Sequence, residues 1–149
     1  MSGPVISIEP ISDELLAAYK HSGMERGKAG TQAIEWAFDS NPAPFAVARH
    51  DGAIVGISSY IQSRMQIGET SGTAVQAVDS FVSETMRGKG IFTRLAKAYD
   101  EHACASGTDL VWGFPNDNAA PAWYGKLGWY RHGQVPFMIK PLRAGFFRR

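Results

Sequence analysis

Two glycines in a short basic stretch are the first residues of this sequence that could bind a ligand. Gly88 and Gly90 alternate with Arg87 and Lys89, after an apolar run that ends at Val82. The apolar residues after Gly90 recur every three or four positions, which predicts an amphipathic helix. A glycine turn between a strand and a helix leaves backbone N–H groups free at the positive end of the helix dipole. The stretch is therefore a candidate phosphate site, and Arg87 and Lys89 add positive charge beside it.

Two common nucleotide-binding motifs do not fit this turn. A P-loop continues with lysine and then serine or threonine after its last glycine, whereas Gly90 is followed by Ile91. A dinucleotide fingerprint needs a glycine or alanine at the position of Thr93. It also needs an acid at the end of the next strand, whereas Asp109 stands at the start of its predicted strand instead of ending it. A nucleotide-binding fold is therefore not expected.

Asp79 is the side chain best suited to act as a general base. Period-two alternation along its predicted strand places it on one face with Val75, Ala77 and Phe81. A carboxylate on an apolar face is poorly solvated, so it accepts a proton more readily than a carboxylate in water. The alternative is a structural aspartate paired with an arginine or with backbone N–H groups. Glu84, in the following turn, is the second candidate base and is otherwise a solvated loop acid.

Hydrophobic periodicity and turn residues predict a mixed α/β domain with a sheet of six or seven strands and about four helices. An Asp-Gly pair at 51–52 indicates a tight hairpin, and Gly107 is placed to end a helix. The almost wholly apolar run 109–114 is typical of a central strand covered on both faces. The predicted elements are strand 5–8, helix 12–23, helix 31–41, strands 45–49, 53–67 and 73–82, helix 89–106, strand 109–114, helix 118–128 and one or two strands within 129–142.

Two residues in these helices receive a specific expectation. Asn118 can cap the last helix, with Pro121 in its first turns. Trp36 is expected to pack in the core, because large aromatic side chains mostly bury for packing, with a substrate groove as the alternative.

The composition restricts the class of protein. A chain of 149 residues, 44% hydrophobic and 19% charged, suits one soluble globular domain over residues 1–149. A net charge of +1 provides no global field for nucleic acid or for an acidic membrane. No apolar stretch is long enough for a membrane span and no signal-peptide core is visible, so a cytoplasmic location is expected.

Cysteine and histidine usage argues against metal or thiol chemistry. Cys104 is the only cysteine, so no internal disulfide exists, and without a nearby histidine motif it is a poor candidate for a catalytic thiol. The four histidines show no metal-ligand spacing with each other or with Cys104, so no metal is expected.

Two motifs in this chain resemble those of the GNAT acetyltransferase superfamily. Residues 87–91, R-G-K-G-I, resemble that family's coenzyme A pyrophosphate loop, Q/R-x-x-G-x-G/A. Residues 122–129, A-W-Y-G-K-L-G-W, resemble its second signature, an alanine and a tyrosine on a helix that ends in K-x-G-F/W. Residues 114–116, F-P-N, are similar to a subgroup with G-F-P-N at the end of the fifth strand. The resemblance spans roughly residues 45–140.

The resemblance implies a GNAT fold, in which the fourth and fifth strands splay apart and coenzyme A inserts between them. It implies a cofactor site made of strand backbone, phosphate turn and strand end, formed by Phe81, Val82, Ser83, Arg87, Gly88, Lys89, Gly90, Ile91, Phe92 and one of Asn116 and Asn118. Phe92 occupies a position where the family prefers glycine or alanine, so its ring could crowd the phosphate.

The resemblance also implies a catalytic role for Tyr124. It matches the family position whose hydroxyl protonates the leaving sulfur, and its alternative is a half-buried packing tyrosine. In some family members a water chain serves as the base, so the base need not be Asp79 or any other single residue.

The expected function is transfer of an acetyl group from acetyl-CoA to the amine of a small molecule by direct attack. The G-F-P-N and R-G-K-G-I-F subgroup includes members tied to sugar or polysaccharide modification, so an amino sugar is one candidate acceptor. A non-catalytic acyl-CoA-binding sensor or partner module on the same fold is the alternative, and a homodimer is left open.

Overall fold

The computed structural model of the protein describes residues 3–24, 36–38 and 42–133. Its five strands form one sheet in the order β1-β2-β3-β4-β5. The first four strands pair antiparallel, and β5 runs parallel to β4. The strands are β1 (Val5–Glu9), β2 (Phe45–His50), β3 (Ala53–Ile67), β4 (Thr70–Val82) and β5 (Leu110–Gly113). The mixed α/β fold class is therefore confirmed.

The described part of the sheet is smaller than predicted. Residues 129–133 form no strand, and residues 134–142, the rest of the predicted last strands, lie outside the described residues. Among the described strands β5 is the last of the sheet, and all its residues are only partly buried. A strand on the other side of β5 would have to come from residues beyond 133, which lie outside the described residues, so its central position stays a prediction.

Among the described residues, three α-helices and some shorter helical turns accompany the sheet. The helices are α1 (Asp13–Tyr19), α2 (Ile91–Ala105) and α3 (Ala120–Gly125), and one of the turns is at 36–38. The predicted start of the second helix lies outside the described residues. Ser12 caps α1 as predicted, since its hydroxyl accepts a 3.3 Å hydrogen bond from the N–H of Leu15. Gly107, at φ 75°, ends α2 in a left-handed turn, also as predicted.

The sheet separates two hydrophobic clusters. One, the α2-face cluster, joins Tyr60 and Val75 to the buried stripe of α2. The other, the α1-face cluster, joins Leu15 and Tyr19 of α1 to Phe45 and other residues of β2 and β3. Alternate residues of β2 enter the two clusters in turn, as the pleat of a strand requires. The expectation that Trp36 packs in this core is wrong, because its side chain is 66% exposed.

Arg49 ties three elements together at one end of the sheet. Its guanidinium, on β2, binds both carboxylate oxygens of Glu9 on β1 at 3.0 and 2.9 Å. It also binds both carboxylate oxygens of Glu14 on α1, each at 2.9 Å. The hydrogen bonds from Arg49 lower the pKa of both glutamates. Two forked contacts from one arginine hold α1 against the first two strands.

A β-bulge interrupts the pairing of β3 with β4. Ser59 of β3 lies opposite two residues of β4, Val78 and Asp79, because the register shifts on either side of it. The Ser59 hydroxyl donates a 2.9 Å hydrogen bond to the carbonyl of Asp79 and so satisfies part of the interrupted ladder. A bulge of this kind places one extra residue on the longer strand and shifts the alternation of its side chains.

The bulge changes the face on which Asp79 lies. Val75 and Ala77 precede it and pack with the α2-face cluster. Phe81 follows it and packs with the α1-face cluster, where the carboxylate of Asp79 accepts a hydrogen bond from the hydroxyl of Tyr19. The predicted common face for these four β4 residues is therefore wrong. Strict period-two alternation fails wherever a strand contains an extra residue.

Candidate functional site

The candidate site is a cleft that opens where β4 and β5 cease to pair. Their pairing ends at Ala77 and Gly113, while β4 continues to Val82. A β-carbon on Gly113 would lie 3.0 Å from the carbonyl oxygen of Ala77, so the strands meet closely only because this residue is glycine. The cleft encloses about 150 Å³ between β4, the segment after β5, α2 and α3. The chain thus forms a wedge whose point is the last β4–β5 pair.

Beyond the last β4–β5 pair, the backbone N–H and C=O groups of β4 point alternately toward β3 and toward the open edge of the sheet. The N–H of Ser83 donates to the carbonyl of Val55 on β3 at 2.9 Å, so this N–H points into the sheet, and the Ser83 carbonyl accepts from the N–H of Met86 in the following turn. Phe81 shares this orientation by period two, whereas the backbone groups of Ser80 and Val82 point to the open edge. Consistently, the Val82 carbonyl accepts a 3.2 Å hydrogen bond from Nε of Arg87. Of the three predicted backbone contributors, only Val82 faces the cleft edge.

The glycine turn leads from this edge into α2. Gly88 and Gly90 have φ of 76° and 73°, a left-handed conformation that favours glycine. The first helical hydrogen bond runs from the N–H of Arg94 to the carbonyl of Gly90 at 3.1 Å. The N–H groups of residues 91–93 precede that bond and are not used by the helix. A β-carbon on either glycine would meet nothing within 4 Å, so the turn borders open space where an anion can approach.

The charged residues of the turn are well exposed. Arg87 is 64% exposed and lies 3.5 Å from a carboxylate oxygen of Glu84, which is 87% exposed. Such an exposed ion pair is weak, and the Arg87 guanidinium is also held by the hydrogen bond from its Nε to the carbonyl of Val82. Glu84, the second candidate base, is a solvated acid beside the glycine turn rather than a residue of the cleft lining.

Phe92 lies on the α3 side of the cleft. Its ring packs edge-on against Trp123 of α3, with centroids 5.3 Å apart and planes at 89°. Phe92 and Trp123 both line the cleft, and Trp123 is 5% exposed. The ring therefore forms part of an aromatic wall, while its backbone N–H remains in the first turn of α2.

Asn116 rather than Asn118 belongs to the cleft. The side-chain oxygen of Asn116 accepts from the N–H of Asn118 at 3.1 Å and from that of Ala119 at 3.0 Å. Asn116 lines the cleft, and Asn118 is exposed and outside its lining. The predicted cap at Asn118 is wrong, because the chain before α3 turns around the side chain of Asn116. Pro121 lies in the first turn of α3 as predicted.

The two proposed catalytic side chains occupy different places. Asp79 lines the cleft, and its carboxylate accepts a hydrogen bond from Tyr19, whose side chain is 3% exposed. Tyr124 follows Trp123 on α3, is 38% exposed, and is not among the described residues that line the cleft. The sequence contains no local signal for Tyr19, which comes from α1 and meets Asp79 only through the fold.

The described residues contain no group of three or more histidine, cysteine, aspartate or glutamate side chains arranged to hold a metal ion. None of the helices in residues 3–24, 36–38 and 42–133 has the length and apolar character needed to cross a membrane.

This is a mixed α/β protein in which an open strand edge continues into a glycine turn and the start of a helix, and helix N–H groups of this kind are a general site for anions. The profile of the Acetyltransferase (GNAT) domain matches residues 16–131. The chain therefore belongs to the GNAT acetyltransferase family. No match to the sequence was found among the curated proteins.

Solved structures share this fold at low sequence identity. An aminoglycoside N-acetyltransferase, AAC(6′)-Iy, in complex with CoA has 16% identity and a TM-score of 0.70, covering 93% of this chain and 97% of the other. Glucosamine-6-phosphate N-acetyltransferase from Arabidopsis thaliana has 15% identity and a TM-score of 0.63, covering 93% and 99%. A transcriptional regulator from Bacillus halodurans C-125 has 15% identity and a TM-score of 0.70, covering 91% and 100%.

Proposed function

We propose that this protein is an acetyl-CoA-dependent N-acetyltransferase that moves an acetyl group to the amine of a small molecule. The observation that carries the proposal is the continuity between the open edge of β4 at Val82 and the unused N–H groups at the start of α2. A ligand with an amide-bearing arm and a pyrophosphate can pair with the strand edge and bind the helix start at the same time. Acetyl-CoA has this architecture.

The chain's own residues divide the binding of acetyl-CoA between them. We assign the pyrophosphate to the N–H groups of residues 91–93, with Arg87 adding positive charge, and the pantetheine arm to the open edge at Ser80 and Val82. Asn116 approaches from the other side of the wedge. The open space beside Gly88 and Gly90 supports this assignment, because a phosphate must come close to the backbone there.

The transfer itself requires two proton transfers, one from the amine and one to the leaving sulfur. The amine nitrogen attacks the thioester carbonyl carbon, so a C–N bond forms, the C–S bond breaks and the electron pair leaves on sulfur. An alkylammonium with a pKa near 10 must first lose a proton, at a cost of about 4 kcal/mol at pH 7. We assign this proton to the carboxylate of Asp79, directly or through water, because Asp79 lines the cleft. We assign Tyr124 as the donor that protonates the departing thiolate.

The acceptor is proposed as a small amine, with an amino sugar as one candidate. Among the described residues that line the cleft, Asp79 is the only one with an ionisable side chain. A single carboxylate suits an acceptor that presents one ammonium group near the thioester. Structural neighbours that act on amino sugars by their names, such as glucosamine-6-phosphate N-acetyltransferase, support screening this class first.

A non-catalytic acyl-CoA-binding module is the second candidate, and the position of Tyr124 favours it. The Tyr124 side chain is 38% exposed and outside the described cleft lining, whereas a proton donor must reach the sulfur. The two functions predict the same binding of acetyl-CoA and differ in turnover.

Calorimetric titration with acetyl-CoA, followed by thiol release in the presence of a panel of amines, tests the proposal. Saturable one-to-one binding and amine-dependent thiol release support it. Binding without turnover on any amine supports the sensor, and absence of binding contradicts both.

Two pairs of variants test the residue roles. Tyr124→Phe and Asp79→Asn should each lower kcat by about 10²-fold or more, the usual contribution of a general acid or base. Tyr130→Phe is the control for the first, because Tyr130 is 87% exposed and outside the cleft lining. Asp117→Asn is the control for the second, because Asp117 is exposed and outside the described cleft lining. Unchanged turnover in both test variants would make these assignments wrong even if the family's chemistry is retained.

A further inference from the structure

The helix that carries Tyr124 has little holding it in place. Helix α3 is six residues long, and Trp123 is its only buried residue. Its orientation therefore depends, among the described residues, on the contacts of that one indole. Trp123 packs edge-on against Phe92 on one side, at 5.3 Å between ring centroids. The orientation of α3 is therefore fixed only if the indole of Trp123 is itself held by further contacts.

Trp129 supplies the second contact of Trp123. The two indole rings lie 4.1 Å apart with their planes at 51°. The chain reaches Trp129 through a turn at Gly128, whose φ is 71°, and the N–H of Trp129 donates to the carbonyl of Trp123 at 3.0 Å. This turn folds Trp129 back onto α3, so that both indoles line the cleft.

Asp100 anchors this pair of indoles to α2. The indole N–H of Trp129 donates to a carboxylate oxygen of Asp100 at 3.2 Å. Asp100 lies eight residues after Phe92, so both face the same side of α2, about 12 Å apart along its axis. One helix thus holds the aromatic wall at two points, through an edge-on ring contact at its start and through a hydrogen bond two turns later.

We propose that Asp100 and Trp129 are positioning residues that fix the orientation of α3, and with it Tyr124, relative to the acetyl-CoA cleft. The proposal rests on the proposed acetyltransferase function. Neither residue touches the reacting atoms in it. Asp100 holds the indole of Trp129, Trp129 holds Trp123, and Trp123 sets the direction of the helix that carries the proton donor. The same helix, α2, would bind the pyrophosphate at its start. In this arrangement α2 positions both the pyrophosphate of acetyl-CoA and the proton donor at its thioester.

Three substitutions separate this role from a general loss of stability. Asp100→Leu keeps the size of the side chain but removes the acceptor, and Trp129→Phe keeps an aromatic ring but removes the donor. Each should lower kcat by about ten-fold or more, since small misplacements of catalytic groups are costly. For Asp100→Leu the Kd for acetyl-CoA should not change, because Asp100 is not among the described residues that line the cleft. Asp100→Asn keeps an acceptor oxygen and should restore most of the rate. Glu101→Leu, on the neighbouring exposed residue, is the matched control.

A double variant tests whether the two residues act as one unit. Asp100→Leu combined with Trp129→Phe should be no slower than the worse single variant, because each substitution breaks the same hydrogen bond. The proposal is overturned if the effects multiply, if Asp100→Asn is as slow as Asp100→Leu, or if the affinity of Asp100→Leu for acetyl-CoA falls in step with its rate.

Indole N–H resonances provide a readout that does not require turnover. The chain has four tryptophans, and each signal can be assigned with a single Trp→Phe variant. Asp100→Leu should shift the signals of Trp129 and Trp123 and leave that of Trp112, on β5, in place, while Glu101→Leu should shift none. If the wild type transfers no acetyl group, the proposed function fails, and these spectra still decide the positioning of α3. A shift confined to Trp129 would then refute it, and a shift that includes Trp123 would support it.

Discussion

Substitution of Gly90, with Gly107 as its matched control, distinguishes a loss of phosphate binding at the glycine turn from the effect of backbone strain alone. Both glycines adopt a left-handed conformation, at φ of 73° and 75°, and a β-carbon at either position would meet nothing within 4 Å. They occupy opposite ends of the same helix, α2. An alanine at either position should therefore cost the same free energy of unfolding, about 1–2 kcal/mol for a left-handed residue other than glycine. In a domain of this size that loss lowers Tm by about 2–8 °C.

Affinity for acetyl-CoA should respond to only one of the two positions. Gly90→Glu places bulk and negative charge beside the N–H groups of residues 91–93, which we assign to the pyrophosphate. A hydrogen bond to a charged group contributes about 1.5–3 kcal/mol, so losing even one raises Kd by roughly 10- to 150-fold. Gly107→Glu carries the same strain and charge at the other end of α2, and its Kd should match that of the wild type.

Calorimetric titration and thermal unfolding of the four single variants, alanine and glutamate at each position, make the comparison. Equal loss of affinity in Gly90→Glu and Gly107→Glu would refute the phosphate assignment, because strain alone would then explain the effect. Unchanged affinity in both would mean that acetyl-CoA does not use the start of α2.

Two further predictions concern stability and its dependence on pH. Arg49→Lys keeps the charge but cannot form both forked contacts. The free energy of unfolding at pH 7 should therefore fall by about 1 kcal/mol, because the two-point contact with Glu9 is lost. Hydrogen bonds from Arg49 lower the pKa of Glu9, so this stabilisation is lost as pH falls through the lowered value, and the two melting curves should converge in strong acid; a constant gap would count against it. Burial raises the pKa of Asp100, so ionisation in the folded protein opposes stability as pH rises above the ordinary aspartate range. Asp100→Asn should therefore have a higher Tm than the wild type at neutral pH and the same Tm in acid. A Tm below that of the wild type at neutral pH, with equal values in acid, would contradict this reasoning.

Local features of the fold could be predicted from sequence because their causes are local. The Asp-Gly hairpin turn, the Ser12 cap and the glycine that ends α2 each depend on the conformational preference of one or two residues. The glycine turn before α2 belongs with them, since φ of 76° and 73° at Gly88 and Gly90 are conformations that glycine adopts without strain. For the same reason the conformation of the glycine turn could be predicted from the residues alone, and the fold class from their periodicity.

The face of Asp79 shows where such prediction stops. Alternation along β4 would have been correct without the extra residue opposite Ser59, and nothing in the residues of either strand marks the bulge. A bulge arises from the fit between two paired strands, so one strand's pattern cannot reveal it. The orientation of Phe81 and Ser83 away from the open edge follows from the same pairing, through the bond from Ser83 to Val55.

The sequence by itself determined the α/β class, the glycine turn before α2, and the residue types available for chemistry. Only the tertiary structure decided which of those residues meet. Tyr19 reaches Asp79 from a helix near the N-terminus, and Asp100 reaches Trp129 across the gap between α2 and α3. Short-range preferences act between neighbours in the chain, whereas these contacts join residues far apart in sequence that only packing brings together. The cleft's chemistry is therefore a property of the folded sheet and its two flanking helices.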